Sequence, residues 1–235
     1  MPGVELTILG SESLGNCYIL DSGSAILIVE AGIRTQVMKE AIGYDISRVA
    51  GCLVTHRHGD HFKYAGDYAR QGIDIYSSQD VIKRLGVEHR GCVVGEHLRY
   101  TVGEFTVVPF KVHHNVPTFG YLIAHHLCGS ILFATDAAYI PSSFRGINHM
   151  MIEANYSDED MVSTRAVGSH MALDTCVEFI QRQDTTKVYS IILLHLSAMN
   201  SNAERFRSTI QNIAPKSAIH IADKGMKLQL TNNPF

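Results

Sequence analysis

The chain has 235 residues, and a fold of that length buries roughly 70–75% of the surface its unfolded chain exposes, so a core needs no disulfide or metal staple. Hydrophobic residues at 46% and charged residues at 18% exclude a disordered polyelectrolyte, and no run approaches the ~18 apolar residues of a membrane span. Twenty Lys and Arg against twenty-three Asp and Glu leave −3 at pH 7, without the basic stripe that holds long duplex through phosphate contacts.

Residues 1–235 are read as one domain. The start, MPGVELTILG, lacks a basic segment followed by an apolar one and reads as a strand over Val4–Leu9 rather than a leader. Cys17–Leu20 and Ala25–Val29 follow as strands around the turn Asp21-Ser22-Gly23-Ser24. Ile33, Val37, Ala41 and Ile42 recur at helical spacing over 33–42, with Gly43 as the stop. Ala50–Val54 is a continuous apolar run, as expected of a strand buried on both faces. Helices are predicted over 61–71 and from Ser78, as N-cap, to Gly86.

The middle reads as sheet: Cys92–Val94, Arg99–Val102, Phe105–Pro109, Tyr121–Ala124 and Ile131–Thr135. A strand at His149–Glu153 leads to helices near 158–166 and over 170–182. Val188–Leu194 returns as a buried strand, 201–213 forms a helix, and strands at Ile219–Ala222 and Met226–Leu230 close the chain. The pattern gives a layered α/β or α+β domain. The five cysteines are widely spaced and mostly inside apolar runs, which reads as buried thiols in a reducing cytoplasm.

Thirteen histidines are a heavy load for this length. The strongest signal is Thr55-His56-Arg57-His58-Gly59-Asp60-His61, directly after the apolar run Ala50–Val54. Two histidines at i and i+2 leaving a strand point to one side, so both can bind one metal ion. Gly59 permits a turn, after which Asp60 and His61 can reach a second. Two ions need more ligands, and three further runs end on suitable residues: His113-His114 after Phe110–Val112, Asp136 after Ile131–Thr135, and His195 after Val188–Leu194. Spacing alone leaves His113 and His114 as alternatives.

With these residues the chain resembles the metallo-β-lactamase fold superfamily, whose members carry His-x-His-x-Asp-His and later His, Asp and His ligands. Within it the likeness is to the YycJ/WalJ-like branch. It rests on Gly10-Ser11-Glu12-Ser13-Leu14-Gly15-Asn16-Cys17-Tyr18, on His114-Asn115-Val116-Pro117 before Gly120-Tyr121 (with Asn115 where Asp is commoner), and on Thr135-Asp136, Ile152-Glu153-Ala154-Asn155, Ser169-His170-Met171 and His195-Leu196-Ser197. The resemblance implies a four-layer αββα sandwich. It implies His56, His58 and His114 on one metal, Asp60, His61 and His195 on the other, and Asp136 bridging, with the ions about 3–4 Å apart. The ligand types suit two divalent ions, Zn2+ foremost with Mn2+ also accommodated.

Ser11, Ser13 and Asn16 are expected to offer hydroxyls, an amide and backbone N–H groups to a phosphate, or else simply to connect two strands. His170, with Ser169 as N-cap, is expected either to protonate a leaving oxygen or to lie on the surface of a first helical turn. Glu153 reads equally as a partner of a ligand histidine or as an ordinary acid. His125 and His126 are read as surface residues, and His89, His97, His149 and His220 as structural. The implied activity is phosphodiester hydrolysis with Asp60 and His170 as catalytic residues. A DNA exonuclease leads, and a small-molecule phosphodiesterase acting on cyclic nucleotides is the alternative. Either would act in the cytoplasm with no membrane partner. β-Lactam hydrolysis fits less well because that class is normally exported, and a non-catalytic scaffold would not require every ligand position to be filled.

Overall fold

The structure is a computed structural model that describes residues 3–160 and 167–232. In chain order it runs through β1 (Val4–Glu12), β2 (Gly15–Asp21), β3 (Ile26–Val29), α1 (Thr35–Ala41), β4 (Val49–Leu53), α2 (Gly59–Phe62), α3 (Ala65–Arg70), β5 (Ile75–Ser77), α4 (Gln79–Ile82) and β6 (Gly91–Val93). The second half contains β7 (Tyr100–Val102), β8 (Phe105–Val112), β9 (Thr118–His125), β10 (Gly129–Ala134), β11 (His149–Glu153), α5 (Leu173–Gln181), β12 (Ser190–Leu194), α6 (Ala203–Ile213), β13 (Ala218–Ile221) and β14 (Lys227–Leu230). One sheet has the order β14-β1-β2-β3-β4-β5-β6 and the other β13-β12-β11-β10-β9-β8-β7.

Successive side chains of a strand point to opposite faces, and here both faces are covered. In β3, Leu27 and Val29 face the second sheet, where Phe105, Val107, Tyr121, Ile131 and Phe133 share their core. Ile26 and Ile28 point outward and pack with Met38, Tyr68, Val81 and Ile82 from the helical layer. The other sheet repeats the arrangement: Ile192 and Leu194 point inward, while Ile191 and Leu193 pack with Phe179, Ile180, Phe206 and Ile210 of α5 and α6. Two sheets between two helical layers make the expected αββα sandwich. Each fully buried Leu, Ile or Phe contributes roughly 1.5–3 kcal/mol by leaving water, so long apolar strands rather than the polar loops hold the fold. Among the described residues no helix is long and apolar enough to cross a membrane.

The structure departs from the sequence reading at several elements. The helix expected over 61–71 is two short helices, because Ala31 donates its N–H to the His61 carbonyl (2.7 Å) and accepts from the Tyr64 N–H (2.9 Å), which turns the chain between α2 and α3. The helix from Ser78 stops after one turn, although Ser78 does cap it through the Val81 N–H. Strand β5 was not predicted; three residues are too short for a visible period. Residues 158–160 form a 3₁₀ turn, and the rest of the helix expected near 158–166 lies outside the described residues. The helix expected over 170–182 starts at Leu173 with Ala172, not Ser169, at its N-cap position. Residues before it run extended: Asn155 donates to the Met171 carbonyl, and Tyr156 bridges Ala172 in parallel. His125, expected on the surface, is 4% exposed, with its ring against Phe105.

Candidate metal centre

Strands β3 to β6 run parallel, as do β10 to β13. Their carboxyl ends gather on one edge of the sandwich, where open α/β sheets characteristically place their ligands. Glu30 follows β3, the His56–His61 loop follows β4, His114 follows β8, Asp136 follows β10, Glu153 ends β11 and His195 follows β12. Three of these residues leave their strands with positive φ: Glu30 at 70°, Asp136 at 50° and His195 at 54°. Left-handed backbone at non-glycine residues is costly and collects at functional sites.

Seven of the predicted residues converge: His56, His58, His114 and Asp136 form one group, Asp60, His61 and His195 a second, and Asp136 and His195 recur in a third with Glu153 and His170 that joins the two. In the first, His58 Nδ1 lies 2.9 Å from His56 Nε2 and 3.2 Å from His114 Nε2. Asp136 Oδ2 lies 3.6 Å from His56 Nε2 and 3.8 Å from His114 Nε2. The same oxygen reaches His61 Nε2 at 3.4 Å, which places Asp136 between the two groups. Asp60 Oδ2 is 3.1 Å from His61 Nε2 and 3.8 Å from His195 Nε2. His114 is the histidine drawn in. His113 is exposed, its ring against Tyr139.

Hydrogen bonds hold the outer ring nitrogens of His114, His56 and His195, and a nearby carboxylate faces that of His61. His114 donates Nδ1–H to the Ser169 carbonyl at 2.6 Å, which leaves Nε2 as a bare lone pair. His56 Nδ1 bonds with Thr55 Oγ1 at 2.9 Å. His61 Nδ1 sits 3.3 Å from Glu30 Oε1, and the other Glu30 oxygen accepts from the Thr55 N–H. His195 Nδ1 lies 3.0 Å from Asp136 Oδ1 and 3.2 Å from Glu153 Oε1. Its Nε2 is buried without a hydrogen-bond partner. A buried, unpaired ring nitrogen facing a carboxylate is the donor a cation would satisfy, and imidazole with carboxylate suits zinc, manganese or iron. The residues fit divalent metal.

The electrostatics agree. Burial opposes charge on Asp136, yet the neighbouring His61 and His195 hold its carboxyl well below the usual range. Burial likewise works against His195, but Asp136 and Glu153 push its ring up to about 10. His61 is raised for the same reason, against its own burial, by Asp136 and Glu30. His56 is lowered well below its ordinary value by burial and by the neighbouring His61. Protons on His61 and His195 thus balance the acids of the bare chain, and a divalent cation would displace them.

His170 lies beside this centre and donates or shares its Nδ1 proton with Glu153 Oε1 at 2.7 Å. Glu153 is buried, and its other oxygen accepts from the N–H groups of Ala137 (2.8 Å) and Met171 (3.3 Å). Of the three loop residues expected to meet a phosphate, Ser13 alone lines the adjoining cavity. Ser11 Oγ accepts from the His195 N–H at 3.0 Å and bonds the Tyr18 hydroxyl at 2.7 Å. Asn16 is buried, with its amide at 3.3 Å from Asp60 Oδ2 and 3.2 Å from His61 Nε2. Both therefore hold the centre from behind. Glu30 and Thr55 were not singled out from the sequence, though Glu30 carries the signal that marked the others, an acid directly after an apolar run.

The sequence signature of the family described as the beta-lactamase superfamily domain matches residues 27–196. The chain belongs to this family. It is a metal-dependent hydrolase of the metallo-β-lactamase fold. Exodeoxyribonuclease YycJ of Bacillus anthracis is 22% identical, over 94% of this chain and 93% of its own. Exodeoxyribonuclease WalJ of Streptococcus pneumoniae is 25% identical, over 89% and 88%. Among solved structures, the metallo-β-lactamase fold protein YhfI of Bacillus subtilis superposes with a TM-score of 0.79 at 18% identity, covering 97% of this chain and all of the other. A diphosphatase of the PhnP family superposes at 0.70 and 17% identity, covering 96% and 97%. At these identities the structures share the fold with this metallo-β-lactamase-like hydrolase.

Proposed function

We propose that this hydrolase holds two divalent ions, zinc foremost with manganese also accommodated, and cleaves phosphodiester bonds at the ends of DNA. His56, His58 and His114 would hold one ion, Asp60, His61 and His195 the other, with Asp136 shared. The observation that carries the reading is the convergence of these seven residues, with the buried Nε2 of His195 left unpaired. Similarity along most of the chain to proteins named exodeoxyribonucleases supports the DNA substrate. The free thiols of all five cysteines support a reducing cytoplasmic setting.

When bound, the ions held by these seven residues would supply Lewis acidity that lowers the pKa of water and offsets the charge of the phosphate. The chain's own residues do the rest. Asp60, with its carboxylate 20% exposed, would accept a proton from the attacking water and orient it. His170 is the proton donor to the leaving oxygen: Glu153 holds Nδ1, the other ring nitrogen stays available, and the ring lines the cavity. Ser11, through the His195 N–H, and Asn16, beside Asp60 and His61, keep the ligand loops in register. Ser13 is the loop residue left to meet substrate.

A second reading, opening of a cyclic nucleotide, draws on one observation: no Lys or Arg is among the described residues lining the cavity. Zinc- or manganese-loaded protein incubated with end-labelled single- and double-stranded DNA, RNA and a panel of cyclic nucleotides tests both. Release of mononucleotides from DNA is expected. Cleavage of cyclic nucleotides alone would transfer the assignment to the second reading, and inertness toward every phosphodiester would end both.

A further inference from the structure

Beside His170 opens a cavity of about 630 Å³, within the roughly 300–1,000 Å³ typical of sites for small ligands. Its wall comes from the β1–β2 turn and from the segment after β12. Two large apolar side chains on it face water: Leu14 is 87% exposed and Met199 65%. Leu14 occupies the tip of a two-residue hairpin connection between Glu12 and Gly15, where turn chemistry favours Gly, Asn or Asp. Neither the turn nor the core needs a leucine there. Met199 also lies in a turn, and its flexible thioether adapts to flat ligands.

Charge narrows the occupant. Glu12 is the one carboxylate among the described lining residues, and no Lys or Arg accompanies it. Away from His170, which faces the scissile phosphodiester, a stretch of further phosphates laid in this cavity would meet Glu12 with no Lys or Arg beside it, so the neutral part of a substrate belongs there. We infer that Leu14 and Met199 form an apolar clamp for the base of the terminal nucleotide, whose phosphodiester lies at the metal centre next to His170. Every base has an apolar face, so such a clamp grips ends of any sequence. Glu12 at its edge can accept a hydrogen bond from an exocyclic amino group, as acidic side chains do from cytosine. This deepens the nuclease reading and rests on it.

The test compares oligonucleotides that carry either an ordinary or an abasic terminal nucleotide, with the abasic unit placed at each end in turn. For the wild type, KM for the abasic substrate should exceed that for the ordinary one by about tenfold, the scale of removing some tens of Å² of apolar surface from water against the two side chains. In the Leu14→Ala/Met199→Ala double variant the ratio should fall toward one, because the ordinary substrate weakens to the level of the abasic one. Leu14→Phe, which keeps an apolar face, should preserve the ratio. Both residues are exposed and outside the core, and the ratio is read within each protein, so partial unfolding cancels. A wild-type ratio near one, or a ratio unchanged in the double variant, would overturn the clamp while leaving the nuclease intact. Failure to cleave any DNA end would overturn the nuclease and the clamp together.

Discussion

Asp136 shows how much one position can carry. Its carboxylate lies within 4 Å of His56, His61, His114, His170 and His195, and its backbone sits at φ 50°. Asn tolerates the left-handed region nearly as well as Asp, so Asp136→Asn should fold as the wild type does while losing bound metal and activity. Asp136→Ala adds backbone strain to the lost charge and should be the less stable of the two in urea unfolding. His170 makes the opposite case. It is outside the seven proposed ligands, so His170→Ala should keep both ions yet slow turnover by roughly 10²–10⁴-fold on a diester with a poor leaving group. The loss should shrink on a nitrophenyl diester, whose leaving oxygen needs no proton. Equal loss on both would move His170 from proton donor to phosphate contact. Glu30 is fully buried behind His61, out of reach of substrate. Glu30→Gln, nearly isosteric, should weaken metal affinity by about 10–100-fold in chelator competition, the usual effect of removing a group that orients a ligand histidine.

At the level of elements, the centre depends on loops packed too closely for side chains. A Cβ on Gly32 would stand 1.7 Å from the Asp60 carbonyl oxygen and 2.6 Å from the Asn16 nitrogen. Gly32→Ala must therefore push the His56–His61 loop off β2, at a cost of about 1–3 kcal/mol typical of overpacking. It should lower both the urea midpoint and metal occupancy, whereas Gly59→Ala, with nothing within 4 Å of its Cβ, should leave occupancy much closer to wild type. This packing also explains what the sequence could and could not disclose. The buried strands were visible as apolar runs, and the ligand types stood directly after them, so Asp136, His195 and the His56–His61 loop were legible. The break between α2 and α3 was not, because hydrogen bonds from Ala31, some thirty residues away, impose it. Nor was the extended run of His170 into Ala172, which a neighbouring segment after β11 fixes by pairing. For Ser11 and Asn16 the sequence left phosphate contact and strand connection evenly open, because hydroxyl and amide groups serve equally to bind anions and to brace loops; their partners in space are ligand loops.

At the scale of the molecule, the two sheets carry chemistry on one edge and stability elsewhere. His149 begins β11, far along the strand from Glu153, and is buried with Nδ1 at 2.7 Å from Ser190 Oγ and Nε2 at 3.1 Å from the Thr231 carbonyl. Burial holds its ring neutral down to about 4, against an ordinary 6.5. Between those values the unfolded chain binds a proton that the native chain refuses, so this contribution is complete above pH 6.5 and is lost as pH falls to 4. The loss amounts to about 3 kcal/mol. The unfolding free energy of metal-free His149→Gln, relative to wild type, should be flat above pH 6.5 and rise by that amount toward pH 4; a difference flat throughout would show that the native ring is protonated freely. Strand and helix patterning made a layered α/β or α+β domain legible, since it follows from which faces of a strand are covered, whereas the four-layer αββα sandwich came only with the family resemblance that the ligand motifs carry. Hydrolysis of DNA ends at this edge, with two metal ions held by the chain, is the proposed activity. It is tested most directly by following nucleotide release from end-labelled DNA with protein carrying a measured two equivalents of zinc or manganese. Stepwise release of mononucleotides that stops when the ions are chelated is expected; fully loaded protein that releases none would contradict the nuclease reading.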